Sequence, residues 1–365
     1  MQLEGRHFAS GAGLRLTIQS GRIAAVEPAP VDPQAPLIAP GLVDLQINGF
    51  AGFDFNDPAC DVAAAVQTIK AGGVSRLLPT LVTGSPERLA ACAARIAAAC
   101  AADAELDHAI AGIHLEGPAI SPEDGPRGAH PLEWVRPLSW TEFTRLQQAA
   151  GGRIRLVTLA PEQSGSIELI QRLCAEGVKV ALGHTDASPQ QIDAAVAAGA
   201  SCSTHLGNGA RPVLPRHPNI IWSQLAHDAL WCGAIADGHH LPAEVLKVFA
   251  RVKGERLFLV SDAVAKAGMP PGRYTDLIGG DVVLTPEGKL HTAADPRILA
   301  GAAKSLWEGI RFITEAGVMS LAQALHAAAV VPAHYLGWQH GLEAGAPADL
   351  FILEGDRPQA LVLGR

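Results

Sequence analysis

The sequence predicts an α/β protein in which a parallel (β/α)8 barrel, the TIM-barrel fold, carries a small β-sandwich-like domain built from both chain ends. Three observations lead to this prediction. The chain has 365 residues, so one barrel can take most of its length. Eight apolar segments alternate with Ala- and Leu-rich helical segments, an order that favours a closed parallel barrel over an open sheet. Short β-like segments at both ends stand outside that alternation.

The barrel elements are marked by apolar runs and by helix-capping residues. Ser85 and Ser188 are each followed by a proline, which is the pattern of an N-cap with Pro at the first helical position. Gly199 ends the second of these helices. The eight predicted strands are Leu42–Asn48, Arg76–Leu81, Ala109–Glu116, Ile154–Leu159, Val178–His184, Ser201–Leu206, Leu230–Asp237 and Leu257–Asp262.

The two chain ends differ from the barrel region. Leu14–Ile18, Arg22–Val26 and the tail Ala348–Leu363 contain short β-like segments separated by turn residues, and we expect them to pair. Gly279–His291 is typical of a hairpin with its turn at Pro286–Gly288, and it could belong to either part. The predicted division is a β domain from residues 1–39 and 344–365, and a barrel domain from residues 40–343.

Composition excludes several classes of protein. With 48% hydrophobic and 18% charged residues, the chain has ample material for a core. No apolar run approaches the ~18 residues of a membrane span, and the N-terminus lacks the pattern of a secretion signal. The net charge of −8 argues against a nucleic-acid surface. Six cysteines without a CxxC pair predict reduced thiols and a cytoplasmic location.

Four polar residues stand at the carboxyl ends of predicted strands. Glu116 ends strand three, His184 ends strand five and Asp262 ends strand eight, and His205 is the last residue but one of strand six. A single His or Asp at such a position is more often a core residue or a helix N-cap. In a parallel barrel, however, these ends meet on one face, and four costly polar groups gathered there predict a divalent metal beside a proton-transfer group.

This set of residues is suited to hydrolysis. Two imidazoles and one carboxylate leave an open position on Zn²⁺, which lowers the pKa of bound water from ~15.7 to ~7. Asp262, if it does not bind the metal, can take the proton from that water and pass it to a leaving amine. The sequence therefore predicts the hydrolysis of an amide.

Longer motifs extend these observations over nearly the whole chain: APGLVDLQINGF (39–50), GIHLEGPAISPEDGPRGAHP (112–131), GHTDAS (183–188), THLGNGARPVLPRHPN (204–219), AIADGHHL (234–241) and LVSDAVAKAG (259–268). With them the sequence resembles the amidohydrolase superfamily and, within it, the N-acetylglucosamine-6-phosphate deacetylase family. HLEGP followed by GAHP is the most specific pair. The resemblance implies deacetylation of N-acetylglucosamine 6-phosphate, or of a close N-acetylated amino sugar phosphate, by a cytoplasmic homodimer.

The resemblance also implies roles for individual residues. By this resemblance, the metal ligands are Glu116, His184 and His205, and the catalytic acid/base is Asp262. His130 would polarise the substrate carbonyl and contact the substrate. Its sugar and phosphate contacts are Asn208, Gly209, Arg216, His240, Leu299 and Gly301, with the phosphate held in part across the dimer interface. His239 is adjacent to His240 and is the alternative phosphate contact. Strand alternation puts His114 on the same face as Glu116, and we expect it to support the ligands or to be a core residue, and not to be a metal ligand itself.

The sequence departs from the family pattern in places. Many amidohydrolases carry HxH at the end of strand one, where this chain has Gln46 and Asn48. Amide side chains are poor ligands for a borderline ion, so we expect one divalent ion per active site, Zn²⁺ first and Fe²⁺ as the alternative. The segments 207–211 and 299–303 also differ from the family pattern, which leaves open the sugar epimer and whether the phosphate is required.

Two other functions are compatible with the sequence. The same residues could hydrolyse another amide, such as an N-acyl amino acid or a cyclic imide. The chain could also be a catalytically silent barrel with a role in assembly. The presence of Glu116, His184, His205 and Asp262 together argues against the silent barrel, because it would have no use for these buried polar groups.

Overall fold

The computed structural model describes residues 1–276 and 280–362. Its strands are β1 (Gln2–His7), β2 (Gly13–Gln19), β3 (Arg22–Pro28), β4 (Leu37–Pro40), β5 (Leu42–Ile47), β6 (Gly49–Phe50), β7 (Phe53–Asp54), β8 (Val74–Val82), β9 (Ile113–Glu116), β10 (Ile154–Leu159), β11 (Lys179–Leu182), β12 (Cys202–Ser203), β13 (Trp231–Ile235), β14 (Leu257–Val260), β15 (Gly272–Asp276), β16 (Gly280–Leu284), β17 (Leu290–Thr292), β18 (Asp349–Glu354) and β19 (Arg357–Val362). Its α-helices are α1 (Val62–Ala71), α2 (Pro86–Ala102), α3 (Ala104–Ala109), α4 (Trp140–Ala149), α5 (Ser166–Ala175), α6 (Pro189–Ala197), α7 (Ile220–Ala226), α8 (Ala243–Lys253), α9 (Leu306–Glu315) and α10 (Leu321–Tyr335).

Eight parallel strands form the predicted barrel. Their order is β5, β8, β9, β10, β11, β12, β13 and β14, so each strand pairs with the next barrel strand along the chain. A parallel bridge between Ile47 and Ala263 joins the first strand to the segment after the last. Apolar side chains such as Leu45, Leu156 and Phe258 fill the interior, as expected of a packed barrel. The prediction of a (β/α)8 barrel is confirmed.

Helices cover the outside of the barrel, and their caps follow the sequence signals. The Ser85 side chain accepts a hydrogen bond from the backbone of Arg88, with Pro86 as the first residue of α2. Ser188 and Gln191 form a capping box at the start of α6. The helix α10 closes one end of the barrel, where Tyr335 packs against Phe258.

The two chain ends pair as predicted, in one six-stranded sheet of order β19, β18, β4, β1, β2, β3. The central contact is antiparallel pairing of β18 with β4, which brings Leu350 opposite Pro40. Leu16, Ile23 and Leu350 are among the apolar side chains that form a separate core for this sheet. The domain boundaries at residues 39/40 and 343/344 stay a prediction, with β4 ending at Pro40 and the first barrel strand starting at Leu42.

The predicted hairpin belongs to an insertion after the last barrel strand. β16 and β17 pair antiparallel, and the backbone of Thr285 bonds to Lys289 across the predicted turn. Gly279, the first residue of the prediction, lies outside the described residues. β15 adds a third strand that the sequence did not indicate. We call β15, β16 and β17 the inserted sheet; it lies between β14 and α9, beside the carboxyl ends of the barrel strands.

Two exclusions from the sequence are also tested by the structure. All six cysteines are free thiols, in agreement with the expectation of reduced cysteines. Within residues 1–276 and 280–362, the longest helices fall short of the length and apolarity needed to cross a bilayer.

Candidate metal centre and active site

Glu116, His184 and His205 converge at the carboxyl ends of their strands. The His205 Nε2 atom lies 3.0 Å from His184 Nε2 and 3.2 Å from Glu116 Oε1, and His184 Nε2 lies 3.3 Å from the same oxygen. Tetrahedral zinc with bonds of about 2.0–2.1 Å has ligand atoms about 3.3 Å apart. The three atoms therefore form a face of a tetrahedron of suitable size, with a fourth position open.

Neighbouring groups orient these three side chains. Nδ1 of His184 bonds to the carbonyl oxygen of Pro126 at 2.9 Å, which requires the proton on Nδ1 and leaves a lone pair on Nε2. The amide nitrogen of Gln46 donates to Glu116 Oε1 at 2.8 Å. Nδ1 of His205 is buried and has no hydrogen-bond partner among the described residues. A fixed carboxylate and a fixed imidazole tautomer are what a metal centre requires of its surroundings.

The backbone turns where the strands end. His184, His205 and Asp262 have positive φ angles of 50°, 29° and 48°, and they are three of the five non-glycine residues with positive φ in the described chain. The sequence predicts that His184 and Asp262 are the last residues of their strands and that His205 is the last residue but one of its strand. In the structure each of the three lies just beyond its strand, because a residue with positive φ ends the regular strand pairing. Such a strained conformation costs about 1–3 kcal/mol per residue. Such strain gathers at functional sites.

The charge balance of the three residues favours a cation. Burial alone would raise the pKa of Glu116, but its close contacts with His184 and His205 hold it well below its ordinary value. Burial works against protonation of His205, yet the same carboxylate raises its pKa. One buried carboxylate and two imidazoles with converging lone pairs fit a divalent ion of the zinc class.

A second grouping of ligand atoms is looser. Glu116, His130 and His184 also offer atoms within 4.8 Å of one another. We favour His205 over His130 as the third ligand, because the contacts of His205 are 3.0 and 3.2 Å. Nδ1 of His130 bonds instead to the Thr83 hydroxyl at 2.8 Å. Burial and the nearby His184 lower the pKa of His130 to about 3, so its imidazole is neutral.

Asp262 lies beside the three converging residues without a hydrogen bond to them among the described contacts. The amide nitrogen of Asn48 donates to Asp262 Oδ1 at 2.9 Å. Burial, followed by the negative charge of Glu116, raises the pKa of Asp262 to about 6. A carboxyl group that titrates near neutrality is suited to accept and return a proton.

These residues are part of the lining of a cavity of about 1080 Å³. Of the predicted substrate contacts, the cavity lining includes His130, Asn208, Gly209, His240, Leu299 and Gly301, and also the alternative residue His239. Arg216 is the exception: it is exposed and lies outside the lining of its own chain's cavity. The roles of all these residues stay predictions.

Gly209 is required by the close packing of its loop on the metal centre. Its φ angle is +55°, and a Cβ atom there would lie 2.9 Å from Nδ1 of His184. A side chain would displace either the loop or the ring of His184. The sequence marked Gly209 only as a sugar contact, and its contact with a candidate metal ligand became visible in the structure.

The sequence did not predict the contacts that three residues make with the candidate site. Gln46 and Asn48 were noted only as the absence of a second metal site, but they bond to Glu116 and Asp262. Their spacing on alternate positions of one strand face was the available signal. Thr83 gave no signal, because its contact with His130 spans 47 residues. His114 is a core residue as expected, bonded to the Leu45 carbonyl and the Thr158 hydroxyl.

Comparisons with known proteins agree with this geometry. N-acetylgalactosamine-6-phosphate deacetylase of Escherichia coli O157:H7 is 36% identical over 327 residues, which cover 88% of this chain and 85% of the relative. N-acetylglucosamine-6-phosphate deacetylase of Vibrio furnissii is 33% identical over 349 residues, covering 93% and 86%. The crystal structure of N-acetyl-D-glucosamine-6-phosphate deacetylase from Mycobacterium smegmatis matches with a TM-score of 0.88 and 31% identity, covering 100% of this chain and 99% of that one. The model of the amidohydrolase family matches residues 37–363, and the chain belongs to that family.

Proposed function

We propose that this protein is a metal-dependent deacetylase that hydrolyses N-acetylglucosamine 6-phosphate, or a close N-acetylated amino sugar phosphate, to acetate and the amine. The observation that carries this proposal is the convergence of Glu116, His184 and His205, with Asp262, in the lining of a large cavity. The relatives described above are named as deacetylases of amino sugar phosphates, and their names support the choice of substrate.

Glu116, His184 and His205 would hold one divalent ion, Zn²⁺ first and Fe²⁺ as the alternative. When bound, such an ion lowers the pKa of water to about 7 and polarises a carbonyl oxygen. A single ion is expected, because Gln46 and Asn48 of the first strand already donate to Glu116 and Asp262 and present no imidazole.

Asp262 performs the proton transfers in this proposal. Asn48 holds Oδ1, so Oδ2 is free to accept a proton from the attacking water. The water oxygen forms a bond to the acetyl carbon, and Asp262 then gives the proton to the amide nitrogen as the C–N bond breaks. The carboxylate of Asp262 is restored, and the second proton of the water passes from the acetic acid to the amine, so that acetate and the protonated amine leave.

His130 stabilises the charge that develops on the acetyl oxygen. The Thr83 hydroxyl occupies Nδ1, so the proton of the neutral ring can stay on Nε2 and be donated to that oxygen. One such donor in a water-excluded site contributes about 3 kcal/mol to the barrier reduction.

The remaining predicted residues bind the sugar and its phosphate. Asn208, Gly209, Leu299 and Gly301 line the cavity and would contact the sugar, and His240 would contact the phosphate. Because Arg216 lies outside the lining of its own cavity, we propose that it reaches the site of a second copy in a cytoplasmic homodimer.

A substrate panel with the zinc-loaded and the iron-loaded enzyme tests this function. The panel contains N-acetylglucosamine 6-phosphate, its galactose epimer, unphosphorylated N-acetylglucosamine, an N-acetyl amino acid and a cyclic imide. We expect the highest kcat/KM for one of the two phosphorylated sugars. A higher kcat/KM for the amino acid or imide would overturn the substrate class, and no hydrolysis of any compound would support the silent barrel.

A further inference from the structure

Among the described residues, the cavity lining includes four basic side chains, which differ in the groups that they bond to. They are Arg127, Arg211, Lys289 and Arg297. In an acidic protein, an anionic substrate depends on local cations of this kind. A cation that already bonds to a carboxylate has less charge to offer, so the partners of these four residues decide which of them is available to a ligand.

The three arginines are all paired with acidic side chains. The pairs are Arg127 with Asp124, Arg211 with Asp186 at 2.7 Å and with Glu123 at 3.2 Å, and Arg297 with Asp295 at 2.7 Å. Each guanidinium charge is therefore balanced within the protein.

Lys289 is different. Its Nζ atom donates to the carbonyl oxygen of Pro296 at 2.9 Å, and the described residues place no carboxylate within ion-pair distance of it. The side chain is half-buried at the end of the turn between β16 and β17. A neutral carbonyl partner leaves the full positive charge of the ammonium group available, together with two of its three donor positions.

The turn that carries Lys289 is fixed against the loop after β13. His239 Nε2 bonds to the carbonyl oxygen of Glu287 at 3.1 Å, so the inserted sheet contacts this loop directly. Asp237 accepts from Nδ1 of the neighbouring His240 at 2.8 Å, and from the backbone nitrogens of both histidines. Lys289 and His240 therefore stand on adjoining elements of one cavity wall, and Nε2 of His240 is free to contact a ligand.

We propose that Lys289 binds the phosphate of the substrate within its own chain, as a determinant of specificity for phosphorylated amino sugars. This inference rests on the proposed function and deepens it. Lys289 supplies a compact point charge to the dianion, which suits phosphate. The predicted role of Arg216 requires a second copy of the chain, whereas Lys289 reaches the cavity of the chain that carries it.

The test compares Lys289→Met with Lys289→Arg and with Lys247→Met, a matched change of charge at an exposed position on α8. For the phosphorylated sugar, Lys289→Met is expected to raise KM about tenfold, as loss of one charge-assisted hydrogen bond would do, with kcat within about twofold of wild type. KM for the unphosphorylated sugar should not change. Lys289→Arg should recover most of the loss, and Lys247→Met should behave as wild type.

Binding of glucose 6-phosphate, measured by calorimetry, gives a readout that does not depend on turnover. The Kd of glucose 6-phosphate should be about tenfold higher for Lys289→Met than for wild type, and this difference should be smaller at high ionic strength. If the wild type is active and Lys289→Met has unchanged KM and Kd, this inference fails while the proposed function stands. Equal changes in KM for the phosphorylated and the unphosphorylated sugar would have the same consequence. A wild type inactive on every amino sugar phosphate would overturn the proposed function and this inference with it.

Discussion

Among the contacts that the described residues make between a buried carboxylate and imidazole, two clusters lie in contrasting parts of the fold. One is the metal cluster of Glu116, His184 and His205 at the carboxyl ends of the barrel strands. The other, which we call the junction cluster, consists of Arg76, His108 and Asp349 and joins the barrel to the terminal sheet. Both carboxylates are almost completely buried.

The two clusters differ in how the carboxylate charge is balanced. In the junction cluster Nε of Arg76 lies 3.0 Å from Asp349 Oδ2, and His108 Nε2 lies 2.8 Å from Oδ1. A permanent cation is thus part of the cluster, and both oxygens are bonded. In the metal cluster two nitrogen lone pairs and one carboxylate oxygen converge, and neither partner carries a permanent charge.

This difference shows that residue types alone do not identify a metal site. His and Asp in contact form a closed ion pair where an arginine completes the charge balance, and they form a ligand set where lone pairs meet at one point. Location agrees, since the face at the carboxyl ends of barrel strands carries activity and the opposite face carries stability. Four predictions test the contrast, from the largest expected effect to the smallest.

Glu116→Gln should abolish metal binding, because an amide oxygen is a weak ligand for zinc and leaves two imidazoles without charge compensation. We expect the metal content to fall from about one ion per chain to near zero, and kcat to fall by more than about 10³-fold. Elemental analysis of purified protein and steady-state kinetics measure both. Asp349→Asn is the matched control and should keep its metal; a fully loaded Glu116→Gln enzyme would disprove the ligand assignment.

Asp262→Asn should separate chemistry from metal binding. Asparagine keeps the shape of the side chain but cannot accept the proton, so kcat should fall about 10³-fold while metal content and fold are retained. Kinetics, elemental analysis and circular dichroism check the three properties. A kcat near that of the wild type would show that Asp262 is not the acid/base.

Asp349→Asn should act on stability alone. Removing the carboxylate leaves Arg76 without its charged partner, a change that costs about 3 kcal/mol in a buried ion pair. The free energy of unfolding, measured on metal-free protein in denaturant, should fall by this amount, while kcat/KM at a permissive temperature stays within about twofold of wild type. If activity instead fell with unchanged stability, the junction cluster would belong to the active site.

The smallest expected effect is the pH dependence of the stability that the Asp349 carboxylate contributes to the junction cluster. Burial would raise the pKa of Asp349, but the hydrogen bond from His108 and the charge of Arg76 lower it below its ordinary value of 3.8. The folded state therefore favours the ionised form, and its stabilisation is complete above the ordinary pKa and lost as pH falls through the lowered one. The difference in unfolding free energy between wild type and Asp349→Asn should shrink below about pH 4. A difference independent of pH would contradict this account.

The sequence by itself determined the barrel and the place of its active face. Alternation of apolar strands with capped helices is a local property, and a parallel barrel brings the ends of its strands together whatever the loops do. For that reason Glu116, His184, His205 and Asp262 could be expected to meet, as they do in the structure. The terminal sheet followed from the same local patterns.

Only the tertiary structure decided the partners of these residues. The Gln46–Glu116 contact spans 70 residues and the Asn48–Asp262 contact spans 214, so both depend on register and loop path. The same holds for Lys289. The folded chain pairs carboxylates such as those of Asp186 and Asp295 with arginines, and it leaves Lys289 bonded to a neutral carbonyl. Spacing along a strand specifies the face on which a side chain lies, but a hydrogen bond needs its partner within about 3 Å, and that distance is set by packing.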